Sequence, residues 1–216
     1  LAVRPPLDLS ETAPADVETK PTVGPYHILE VLKKAGDAQW LLGYDLHLLR
    51  KVWLRVVPPG TPPVPLPSRN ISRAGRLRWL TGRRSPEENW DAFEGISGQP
   101  FVNLALTPQS WSRVRYWLHD LASEISAAEE DDTLPARLAL EQVWITGDGR
   151  GKLLDFPAPG LPVTSRSTGH TRIGAIPAEQ CRDFLSDVAA TALAGNISAT
   201  VPGDTPIPLP LHARDF

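Results

Sequence analysis

Few side chains in this 216-residue sequence stand where chemistry needs them. Asp155 is the one acid in the run Lys152-Leu153-Leu154-Asp155-Phe156, and one carboxylate alone makes a poor Mg²⁺ site. Cations stand at Lys33, Arg55 and Arg137. Lys33 has the charge to attract an anion, yet a solvated surface lysine needs no such role. His27, His47, His119, His170 and His212 show no metal-ligand spacing and read as surface or packing residues. Cys181 is the single cysteine, which rules out an internal disulfide and a cysteine-based zinc site. Neither a nucleophile elbow, a zincin motif nor a P-loop occurs.

These residues must be held by a globular framework. The chain is 41% hydrophobic and 22% charged, with seven Trp and no Met. Its net charge of −3 gives no global field that would recruit nucleic acid or an anionic membrane. Cysteine usage suits a reducing compartment, so a cytoplasmic location is expected. No apolar run approaches the length of a membrane span. The chain opens at Leu1 rather than Met and reads as a piece of a longer protein.

Residues 1–22, rich in Pro, read as a tail or linker. Strands are expected at Tyr26–Leu32, Gln39–Asp45 and Lys51–Val57, the first two joined by a Gly36-Asp37 turn. The six prolines within 58–67 favour a polyproline-II spacer. Residues 69–82 have a helical period, and 90–94 with 100–106 suggest a hairpin. Ser110 or Thr107 can cap a helix running to about Ala128, with Trp111, Val114, Trp117, Leu118, Leu121 and Ile125 on one stripe. A short hairpin over 142–156 follows, and then a helix from Ala178 to Ala194 ended by Gly195.

That order resembles a protein kinase. LKKAGDAQWLLGYD (32–45) is similar to the kinase glycine-rich hairpin, VWLRV (52–56) to V-A-I-K-V, and QVWITGDGRGKLLDF (142–156) to the run from the metal-binding Asn to DFG. SDVAATALAG (186–195) resembles the large-lobe helix whose Asp supports the catalytic loop. The G-P-Y-x-I-L opening is closest in style to bacterial Ser/Thr kinases. The resemblance spans residues 23–216 and implies an α+β, bilobal kinase-like fold. A five-stranded antiparallel N-lobe with one helix (23–106) would precede a mostly helical C-lobe (107–216), incomplete at its C-terminus.

Departures from the family pattern fall on its chemistry. The resemblance places Lys33, Ala35 and Ala38 where glycines should let backbone approach phosphate, Arg55 at the phosphate-binding Lys, and Trp53 at the small residue roofing the adenine. It places Arg137 at the catalytic Asp, Ala139 at the loop Lys and Gln142 at the metal-binding Asn. Arginine cannot accept a proton. Only Asp155 survives, in DFP rather than DFG, and is expected to pair with Arg55 or Arg137; Asp187 is expected to keep the structural role of holding the loop at Arg137. Between Arg69 and Arg84 there are six Arg and no acid, so the expected helix offers no Glu; Arg69, Arg73, Arg76 and Arg78 form a solvated face or a dock for an acidic partner. Ser165, Ser167 and Thr168 beside Arg166 are candidate phosphorylation sites, and Pro62-Pro63-Val64-Pro65 a weak SH3-type ligand.

The resemblance therefore implies a pseudokinase that binds or regulates rather than catalyses, with neither metal nor nucleotide cofactor expected. Two alternatives share the sequence: an atypical ATP-dependent transferase built on Asp155, and a structural domain whose cleft is filled by Trp53 and its neighbours.

Overall fold

A computed structural model describes residues 21–35, 38–161 and 178–196. The expected Gly36-Asp37 turn, the Ser165–Thr168 stretch and everything past Asn196 lie outside the described residues.

Period-two sequence makes the first lobe. Strands β1 (Thr22–Val23), β2 (Tyr26–Ala35), β3 (Ala38–Asp45), β4 (Arg50–Val56), β5 (Trp79–Arg84) and β6 (Asn89–Glu94) form one antiparallel sheet in the order β1-β2-β3-β4-β6-β5. Thr22 thus belongs to a strand rather than to a tail. Alternation sorts neighbouring side chains to opposite faces. On β4, Val52 and Leu54 join Tyr26, Leu41, Trp90 and Ala92 in a small core on one face. Trp53 points the other way, with Trp40 and Phe93, into the main core.

Two elements differ from the sequence reading. Residues 69–82 are not a helix. A single turn, α1 (Leu66–Arg69), leads into irregular chain and then β5, whose hairpin with β6 is turned by Ser85–Glu88. Gly75 is the reason at its centre. Its backbone lies so close to α3 (Trp111–Glu130) that a Cβ there would sit 2.8 Å from the Cβ of Glu124, and its carbonyl accepts the Leu153 N–H at 2.7 Å. The spacing that mimics a helix is a segment pressed flat against the second lobe. The expected hairpin of 90–94 with 100–106 is also absent: β6 pairs with β4 and β5, while β7 (Gly98–Pro100) crosses to the second sheet and Phe101–Leu104 forms the short helix α2.

The second lobe follows its expected pattern. In α3, Val114, Trp117, Leu121, Ile125 and Ala128 are buried at helical spacing, and Asp120 and Glu124 share that buried face. Ser110 stands at the N-cap position with extended backbone. A 3-10 turn (Leu140–Gln142) leads into β8 (Val143–Thr146) and β9 (Gly151–Leu153), which with β7 form a three-stranded sheet. Helix α4 (Ala178–Ala194) packs on α3 and stops at Gly195, whose φ of +67° is the left-handed C-terminal conformation. Among the described residues no helix is long and apolar enough to cross a membrane.

Candidate functional site

The surface where the sheet meets the β8–β9 hairpin is filled with rings. Trp53 is 3% exposed and meets Trp144 edge-on, ring centroids 4.7 Å apart. Beside them Trp40 lies 4.1 Å from Phe156, Phe93 lies 5.3 Å from Phe156, and Trp40 and Phe93 are 5.8 Å apart. All five of these residues are buried. Aromatic side chains of this kind bury about 150–250 Å² each and favour such edge and tilted contacts. Three of the rings (Trp40, Trp53, Phe93) come from the six-stranded sheet, one (Trp144) from β8 and one (Phe156) from just past β9. Leu77, delivered by the flattened 70s segment, joins the same core.

Arg55 sits at the margin of this cluster. It pairs across strands with Trp40 and Asp91, and its guanidinium lies 5.9 Å over the Trp40 ring. Burial pulls its proton affinity below the ordinary arginine range, with buried Asp91 opposing that effect. Asp91 also accepts from Arg84 Nη2 at 2.7 Å. The expected Arg55–Asp155 pair is thus not formed. Asp155, its side chain 39% exposed, is bound by Arg76 Nη2 instead. Arg55, on the same strand face as Trp53, stands opposite Trp40 and Asp91, while the 70s segment runs alongside β9 through an Arg76–Leu153 bridge and brings Arg76 to Asp155.

Arg76 is 1% exposed, and its other contacts are Glu124 and the Thr133 carbonyl, the latter at 2.8 Å. Arg73 grips Glu124 through Nε and Nη2 and reaches Asp131 and Thr133. Two of the four arginines read as a docking face therefore point inward, onto acids of α3 and its C-terminal turn. Arg69 stacks over Trp79 at 5.2 Å and donates from Nε to the Val64 carbonyl at 2.7 Å, while Arg78 is exposed. The sequence signal for the clamp was present but distant: Glu124, on the stripe of α3, faces inward among apolar residues.

The remaining expected site residues are scattered around the cluster. Lys33 is half-buried opposite Trp40, and Ala35 pairs with Ala38. Gln142 is buried; its Nε2 donates to the Leu154 carbonyl at 3.1 Å and its Oε1 has no hydrogen-bond partner. Arg137 lies 4.0 Å from Glu141. Asp187 is half-buried, and burial followed by neighbouring Asp183 pushes its carboxyl above the ordinary range. A carboxylate accepting backbone N–H groups would shift downward, and among the described residues no donor reaches Asp187, so the loop-holding role expected of it has no geometric basis there. Burial and Glu129 push the Cys181 thiol up to about 11, a packed and unreactive state. Among the described residues no group of three or more His, Cys, Asp or Glu could hold a metal.

No protein-family model and no curated protein matches this sequence. Solved structures do. A crystal structure of the Mycobacterium tuberculosis PknI kinase domain superposes with a TM-score of 0.61 at 16% identity, covering 86% of this chain and 81% of that one. A second crystal structure of that domain gives 0.60 at 16% identity over 86% and 80%. A double mutant of it gives 0.59 at 16% over 89% and 83%. The chain has a protein kinase-like fold. At this identity the likeness is one of fold.

Proposed function

We propose that this kinase-like domain is catalytically silent and serves as a binding or regulatory module of a larger protein. The observation that carries the reading is the contact of Trp53 with Trp144, from the two walls between which a kinase holds its nucleotide. Rings in van der Waals contact leave no slot for a purine. Two further features support it. Arg137 occupies the position that resembles the catalytic Asp and cannot serve as a base. Asp155, the one remnant of the metal site, is engaged by Arg76. No nucleotide or metal cofactor is part of this reading, and a cytoplasmic setting is assumed.

Titration of the purified chain with Mg-ATP tests it by thermal shift. The expected result is no rise in Tm beyond a magnesium-only control. A rise that saturates as RT ln(1 + [L]/Kd) requires would overturn the proposal. A radiolabelled ATP assay with Mg²⁺ and with Mn²⁺ tests turnover directly: incorporation that disappears in Asp155→Ala would point to an atypical transferase instead.

A further inference from the structure

The turn between β3 and β4 and the first two residues of β4 present six consecutive exposed residues, Leu46-His47-Leu48-Leu49-Arg50-Lys51. Three of them are leucines, 53%, 61% and 72% exposed in order. The turn is firmly built. Buried Asp45 accepts the N–H groups of His47 and Leu48 through Oδ1, at 3.0 Å each. Leu49 has a φ of +49°, the left-handed conformation that glycine or asparagine adopts at least cost. A leucine there is both strained and exposed to water, so neither folding nor solubility accounts for it. Strain of this kind at an exposed apolar residue points to a function.

We propose that this turn is a contact site for an anionic membrane surface. The tip projects from a hairpin end, and a bilayer accepts a projecting apolar tip without shape complementarity, whereas a protein partner would have to supply a matching pocket. Arg50 and Lys51 stand exposed at its base, at the level where acidic headgroups lie once the leucines enter the acyl boundary. The turn's one acid, Asp45, is buried and occupied by backbone donors. The chain's overall charge of −3 does not oppose this, since screening limits each field to about 10 Å and only the local collar meets the surface.

The test is co-sedimentation of the full chain with vesicles of phosphatidylcholine alone or of equimolar phosphatidylcholine and phosphatidylglycerol. Binding is expected to the anionic vesicles and to fall with added salt. Leu49→Gly relieves the backbone strain while removing the side chain, so its Tm should be unchanged or higher while its partitioning falls by roughly tenfold or more. Leu48→Ser should act in the same direction. Arg50→Gln with Lys51→Gln should abolish the preference for anionic vesicles, each charge contributing on the order of fivefold. The proposal is overturned if the wild-type chain stays in solution with anionic vesicles, or if Leu49→Gly binds as well as wild type. It is equally overturned if the tip variants lose a protein partner while no vesicle is bound.

Discussion

Asp187 lies half-buried on α4 with Asp183 one turn before it, and both burial and that neighbour disfavour its charge. Its raised folded-state pKa fixes the sign of its effect. The protonated form is the one the fold tolerates, so any benefit exists below the unfolded carboxyl range and is lost as pH rises through the folded value. At neutral pH the ionised group is a cost. Asp187→Asn should therefore raise Tm at neutral pH, with the gain shrinking toward acidic pH; a lower Tm would restore the loop-holding role. Trp53 makes the opposite kind of contribution. Trp53→Ala should cost about 3–5 kcal/mol in urea unfolding, because the rings around it cannot collapse into the space. A loss under about 1 kcal/mol would mean the indole is not packed as described.

The 70s segment is the element whose shape departs furthest from its own sequence pattern. Read as a solvated helix, its arginines should tolerate change. Arg76 is instead buried between Glu124 and Asp155, and removing one partner from such a cluster leaves uncompensated charge worth about 3–5 kcal/mol. Arg76→Met should cost that much, and Arg78→Met, on an exposed side chain, no more than about 0.5 kcal/mol. Equal effects in urea titrations would discard the clamp. Local pattern explains what the sequence revealed here and what it hid. Helix α4 and the β8–β9 hairpin announce themselves through caps, turns and period, so their limits are legible. Residues 69–82 carry a helical period by coincidence, and what decides their shape is contact with Glu124 and Leu153, far along the chain. The segment itself carries no acid. The cleft was half legible: the resemblance of VWLRV to V-A-I-K-V places Trp53 at the adenine roof, but Trp40, Phe93 and Trp144 join it in one cluster only where the sheets meet.

At the scale of the molecule the two lobes share their interior. One continuous core joins Trp40, Trp53 and Phe93 of the sheet to Phe101, Trp117, Trp144, Phe184 and Val188 of the helical part. Each lobe alone would expose a large aromatic face, which argues for a single cooperative unit over residues that resemblance divides in two. Thermal transitions followed by far-ultraviolet circular dichroism and by tryptophan fluorescence should coincide, with calorimetric and van't Hoff enthalpies equal. Two resolved steps would mean that the ring cluster is a weak joint.

The pairing of Trp53 with Trp144 has an optical consequence as well. Two indoles whose centres are 4.7 Å apart and whose planes are inclined at 77° are coupled oscillators in a fixed chiral arrangement. Their strong ultraviolet transitions split into an exciton couplet, a bisignate band that neither chromophore shows alone and that fades steeply as they separate. The native protein should carry this signature without any label, and either Trp53→Phe or Trp144→Phe should erase it. Whatever pries the lobes apart, whether denaturant, partner or ligand, would then be visible as the decay of one spectral feature.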